Sequence, residues 1–105
     1  MTEWSETVLD VVDQVPAGRA TTYGLVAEAV RARLGRGGAR QVGRLMATEG
    51  AAVPWWRVVR ADGTLPEPLR DRAAVHYDAE GTARRPAGGV DLDRAMWDPL
   101  EEMDA

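Results

Sequence analysis

The residues best equipped for chemistry are the pair Trp55-Trp56, held between Pro54 and Arg57, together with Tyr23 and a set of arginines. Cysteine is absent and histidine occurs once, at position 76. This removes thiol nucleophiles, disulfides and thiolate metal sites, and a histidine-based metal cluster with them. What remains is aromatic stacking and positive charge. Two adjacent indoles cannot easily face one core, because neighbouring side chains on a strand point apart. One ring is therefore expected to line a surface or a pocket, unless both are core aromatics at the start of a strand. Tyr23 also reads two ways, as a core or capping aromatic in a first helical turn, or as a functional side chain. The lone His76 is assigned no chemistry.

All 13 basic residues are arginine, and the formal net charge is −4. That total hides an asymmetry. Between positions 19 and 60 stand Arg19, Arg31, Arg33, Arg36, Arg40, Arg44, Arg57 and Arg60, opposed only by Glu28 and Glu49. The flanks hold most of the acids. A basic middle between acidic ends suits a local anionic partner, nucleic acid foremost, although a charge run can equally be a solvated face.

The elements that must position these side chains follow from periodicity. Trp4, Val8, Val11, Val12 and Val15 recur at helical spacing over 2–15, with Glu3, Glu6, Asp10 and Asp13 on the other face. Pro16-Ala17-Gly18 ends that helix. A second helix is expected over 22–34 with Thr22 as N-cap, and a third over 39–48. Gly35-Arg36-Gly37-Gly38 is a cationic turn between them. Arg40 and Arg44 are four apart, so they share a face. Two helices around such a turn form a candidate helix-turn-helix, a pattern that any helical hairpin can imitate. Residues 57–60 read as a short strand, Ala61-Asp62-Gly63 as a turn, and Thr64-Leu65 as its return, making a small β-hairpin wing. A fourth helix is expected over 68–80, ended by Gly81. The expected fold is mainly α, a winged-helix-like helix-turn-helix domain over 1–81. Residues 82–105 form a linker and acidic tail, with Leu92, Met96 and Trp97 available to dock back.

Three blocks at these spacings resemble the DNA-binding domain of the O6-alkylguanine-DNA alkyltransferases. They are Val15-Pro16-Ala17-Gly18-Arg19-Ala20-Thr21-Thr22-Tyr23-Gly24, Ala39-Arg40-Gln41-Val42-Gly43-Arg44-Leu45-Met46 and Val53-Pro54-Trp55-Trp56-Arg57-Val58-Val59. The enzymes carry Pro-Cys-His-Arg-Val in the third block. Trp55 stands at the position of the acceptor cysteine and Trp56 at that of the histidine. An indole N–H is a donor only, whereas the reaction needs a thiolate. The sequence is therefore most similar to the alkyltransferase-like proteins, which bind alkylated guanine without repairing it and direct it to nucleotide excision repair.

The resemblance implies roles residue by residue. Tyr23 matches the tyrosine that aids nucleotide rotation, and Arg40 the arginine finger that fills the gap. Ala39, Gln41, Gly43 and Arg44 belong to the recognition helix, which in this family enters the minor groove. Trp55, with Val58 near it, would line the lesion pocket. By charge rather than by resemblance, Arg19, Arg31, Arg33, Arg36, Arg44, Arg57 and Arg60 are candidate phosphate contacts, with Thr22, Arg19, Arg36 and Arg57 the expected ones. Glu80-Gly81 matches the family's Glu-Gly, and Glu80 reads as structural once its partners are gone. The segment from Tyr23 to Arg40 is about three residues longer than in common relatives, and His76-Tyr77 replaces the usual Leu-Leu pair.

The expected protein is a non-enzymatic lesion sensor that needs no metal or cofactor. Its expected partners are double-stranded DNA containing O6-alkylguanine and nucleotide excision repair proteins. A monomeric, cytoplasmic protein without a membrane span is expected, since no apolar run approaches the roughly 20 residues required. The rivals are a winged-helix transcription regulator reading unmodified DNA, a residual enzyme, and a protein-interaction domain using the acidic tail.

Overall fold

The computed structural model describes residues 2–102. Helix α1 (Glu3–Asp13) starts where Thr2 accepts a hydrogen bond from the Ser5 amide at 3.1 Å. Glu3 and Glu6 in its first turn complement the helix dipole. Its Val8, Val11 and Val12 are fully buried. Strand β1 (Thr21–Thr22) leads directly into α2 (Tyr23–Leu34). Thr22 is the N-cap, as the sequence indicates, and its hydroxyl accepts from Leu25 N at 3.1 Å. Gly35 closes α2 in the left-handed region at φ 74°, behind Arg31 and Arg33, whose charges suit the dipole's negative end. Helix α3 (Ala39–Glu49) follows, turning Val42 and Met46 inward.

The three helices enclose one core of Val8, Val11, Val12, Val26, Val30 and Val42, with Val58 beneath them. A second core joins Ala20, Val59, Leu65, Ala73, Tyr77, Val90 and Ala95. Tyr23 and Trp55 pack against both. Tyr23 and Trp55 thus sit at the seam of the molecule, while Trp56 packs on the second core alone. After two 3-10 turns, Gly50–Ala52 and Trp55–Arg57, comes β2 (Val58–Val59), and then α4 (Glu67–Glu80), closed by Gly81 at φ 69°.

The mainly helical, helix-turn-helix class with a small wing holds, but the strand pairing differs from the expected hairpin. Strand β2 lies parallel to β1, with Thr21 opposite Val58 and Thr22 opposite Val59. Both valines are fully buried, so their backbone must find partners inside the domain. The Asp62-Gly63 turn forms, with Thr64 N donating to Asp62 Oδ1 at 3.0 Å. Its return leg makes a single rung, Arg60 N to Thr64 O at 2.9 Å, and no strand follows. Pro66 lacks the amide needed to extend it.

The break expected after residue 81 is absent. Residues 82–95 close over the second core, with α5 (Leu92–Ala95) among them, while α6 (Pro99–Glu102) brings Leu100 onto the first core beside α2. Val90 is fully buried and Trp97 is 6% exposed. Val90 N donates to Gly63 O at 2.9 Å. Ala20 N donates to Ala95 O at 2.9 Å, and Trp97 N to Ala20 O at 2.7 Å, so this segment borders β1 on its other side. Gly63 is required there: at φ 84°, a Cβ would lie 2.2 Å from Val90 O. The docking suggested for Trp97 is therefore present, and it makes the acidic segment part of the domain.

Candidate nucleic-acid interface

The seam between the two cores opens into a cavity of about 280 Å³. Tyr23 and Trp55 form its aromatic walls, Gly43, Met46 and Ala47 contribute from α3, and Leu65, Leu69 and Arg72 close the far side. Tyr23 comes to the cavity because it is the first residue of α2, where the chain leaves the buried β1 strand. Burial pushes its phenol pKa up, with the positive charge of Arg60 working against it, so Tyr23 is neutral at pH 7.

Trp55 is held by its neighbours. Its ring meets Trp56 edge-on at 5.6 Å and 88°, and His76 edge-on at 5.9 Å and 83°. Trp56 and His76 are stacked, 3.5 Å between centroids at 6°. The Arg72 guanidinium lies 5.7 Å from the Trp55 ring centroid, within cation–π range. Trp56 is pinned in turn: its Nε1–H donates to both Glu80 oxygens at 3.2 Å, and its carbonyl accepts from the Tyr77 hydroxyl at 2.6 Å. Sequence reasoning missed His76 and Arg72. The available signal was their spacing, since Arg72, His76 and Glu80 recur every four residues and so share one face of α4.

Helix α3 presents the other half of the interface. Ala39, Arg40, Gln41 and Arg44 are exposed, and Gly43 is half-buried at the cavity rim with open space where a Cβ would stand. Gln41 Oε1 accepts from Gly38 N at 2.8 Å, so this side chain also caps its own helix. Arg40 is exposed in the first turn, three residues before the cavity-lining Gly43, and its guanidinium has no ion pair among the described residues.

Not every expected contact is where the sequence suggested. Val58 does not line the cavity; it is fully buried and paired with Thr21, because β2 runs under the first core. Arg57 does not face solvent. Its guanidinium donates to Glu80 at 3.1 and 2.5 Å and to Val15 O at 2.9 Å, which spends its charge inside the fold rather than on a phosphate. Glu80 also accepts from Gly18 N at 3.3 Å. Desolvation raises the Glu80 pKa, but the hydrogen bonds from Arg57, Trp56 and Gly18 outweigh it and the net direction is down. Arg19 turns to the C-terminal segment, donating to the carbonyls of Ala95 and Met96 and lying 3.9 Å from Glu102. Thr22 is buried, with its hydroxyl engaged as the cap of α2. Arg36 is exposed in the α2–α3 turn.

This arrangement can receive and stack a planar group, with Arg72 at the cavity and Arg40 and Arg44 exposed on the helix that lines it. The described residues contain no cluster of three or more His, Cys, Asp or Glu able to hold a metal ion. Residues 3–96 match the family model for "6-O-methylguanine DNA methyltransferase, DNA binding domain", which runs past residue 81 and into the wrapped segment. A DNA base-flipping protein of Escherichia coli (strain K12) is 38% identical over 96 residues, covering 86% of this chain and 70% of that protein. A DNA base-flipping protein of Vibrio parahaemolyticus is 31% identical, covering 88% and 93%. Among solved structures, S. pombe Atl1 in complex with damaged DNA containing O6-carboxymethylguanine superposes with a TM-score of 0.74 at 30% identity, covering 92% of this chain and 96% of that one.

Proposed function

The chain belongs to the family of 6-O-methylguanine DNA methyltransferase DNA-binding domains, as an alkyltransferase-like member without an acceptor cysteine, and from that premise we propose that it recognises O6-alkylguanine in duplex DNA without repairing it. The observation that carries this reading is Trp55. It occupies the acceptor position in the sequence, yet its ring forms a wall of the cavity beside Tyr23. A position that made a bond in the enzymes here offers a stacking surface.

A base cannot be inspected at O6 from within the duplex, so it must be turned out, at a cost of a few kcal/mol that falls for a poorly paired damaged base. In this scheme Arg40 enters the stack as the base leaves and Tyr23 assists the rotation. Trp55 then stacks on the flipped base, a contact worth about 1–3 kcal/mol. A cavity of about 280 Å³ suits one base rather than a larger ligand. Arg44 and Arg36 supply backbone contacts without sequence preference. The chain has no thiol to take the alkyl group, so the bound lesion is left for nucleotide excision repair. The protein acts as a monomer in this scheme, one chain to one lesion.

The test is a titration of matched duplexes carrying guanine or O6-methylguanine, followed by recovery of the DNA. Tighter binding of the modified duplex, with the methyl group retained, is expected. Equal affinities would refute lesion recognition and favour a regulator of unmodified DNA. Loss of the methyl group would refute the non-enzymatic reading.

A further inference from the structure

The turn between α2 and α3 is longer than the resemblance leads one to expect, and side chains from outside it hold its backbone. Trp4, at the start of α1, donates from Nε1 to Arg36 O at 3.1 Å. Arg31 Nε donates to the next carbonyl, Gly37 O, also at 3.1 Å. Gly37 adopts φ 95°, and a Cβ there would stand 2.3 Å from Trp4 Nε1, so the indole fills the space a side chain would need. Gly35 is left-handed, and Gly38 N is tied to Gln41. Four residues with three glycines would normally be mobile. Here both middle carbonyls are held by side chains from two different helices.

The outward face is cationic. Arg36 is exposed, as are Arg33 before it and Arg40 after it. Among the described residues, the amides of Arg36 and Gly37 have no acceptor. Carbonyls already taken by side-chain donors, with unpaired amides and an exposed guanidinium beside them, leave donors available to an anion.

We propose that this turn is a preorganised grip for the DNA backbone beside the Arg40 finger, and that Trp4, which touches no DNA itself, is the positioning residue that holds it. The proposal rests on the DNA-binding reading above and adds to it. Arg36 and the Arg36 and Gly37 amides would take one phosphate. Ordering the turn in the free protein removes an entropic cost from binding. Because a phosphate carries no lesion information, this grip adds affinity equally to damaged and undamaged duplex.

The experiment is the salt dependence of binding, measured on both the guanine and the O6-methylguanine duplex, for the wild type, Arg36→Gln and Trp4→Phe. Arg36→Gln should reduce the magnitude of the slope of log K against log salt by about 0.9, the value for one lost phosphate contact. Trp4→Phe keeps an aromatic ring but loses the donor to Arg36 O. It should reduce the slope in the same direction while its thermal transition stays cooperative. Both variants should keep the wild-type ratio of affinities for the two duplexes. An unchanged slope in folded Trp4→Phe overturns the positioning role. An unchanged slope in Arg36→Gln overturns the grip whether or not Trp4→Phe folds. A wild type that binds both duplexes equally would instead remove the lesion reading, and the slope comparison would still decide this one.

Discussion

Glu80 is the residue whose removal should cost the fold most for its size. Its carboxylate receives Trp56 Nε1, two nitrogens of Arg57 and the Gly18 amide. The Glu80 and Arg57 side chains are 13% and 17% exposed. Glu80→Ala strands the guanidinium with Val15 O as its remaining protein acceptor and leaves the Trp56 indole N–H without one. Breaking a buried pair from one side typically costs about 3–5 kcal/mol, and the residual exposure argues for the lower end, about 3 kcal/mol. At roughly 4–8 °C per kcal/mol for a domain of this size, Tm should fall by roughly 12–24 °C. Glu80→Gln keeps the volume and one acceptor oxygen and should lose less, on the order of 1–2 kcal/mol. Urea unfolding followed by tryptophan emission measures both. The carboxyl pKa is lowered in the fold, so its contribution is present above the unfolded value of about 4.3 and is lost as pH falls through the lower folded value. The gap between wild type and Glu80→Gln should therefore be full above about pH 5 and narrow as the solution is acidified. A loss below about 1 kcal/mol in Glu80→Ala, or a gap that widens in acid, would refute the clamp.

Other consequences can be tested separately. Arg40→Ala should weaken lesion binding several-fold with Tm unchanged, because this side chain is exposed; a wild-type Kd would remove the finger role. Tyr23 packs on both cores, so Tyr23→Phe is the cleaner probe: it should keep the fold and weaken lesion binding if the hydroxyl acts on the backbone, and unchanged binding would deny that. His76→Ala should loosen the Trp55 wall, shift near-ultraviolet circular dichroism and narrow the preference for O6-methylguanine. His76→Phe, which restores a stacking ring, should recover both, and failure to do so would deny the stack its positioning role. Trp97→Ala should destabilise the domain by about 3–5 kcal/mol in urea unfolding, as for a buried indole; a change within about 0.5 kcal/mol would mean that the C-terminal wrap is dispensable.

The four long helices were legible in the chain because each carries its own signals. Valines at helical spacing, Thr22 as a cap, and Gly35 and Gly81 as terminators act within a few residues of one another. The exchange of thiol for indole at position 55 was legible too, since chemistry that needs a cysteine cannot occur without one. The partner of β2 was not. Two buried valines announce a strand but not its neighbour, and the pairing with Thr21–Thr22 spans 37 positions in the register. The fates of the arginines were equally hidden. Arg36, Arg40 and Arg44 remain outside, while Arg57 is drawn in by Glu80, 23 positions away, and Arg19 by Ala95, 76 positions away. Composition counts these side chains alike, and only the meeting of distant segments decides which charges remain free for DNA. The paired tryptophans divide in the same way. By itself the sequence determined that Trp55 and Trp56 could not perform the transfer. The tertiary structure decided that one lines the cavity while the other, stacked on His76 and bonded to Glu80, holds it in place, because those partners come from a helix that only folding brings alongside.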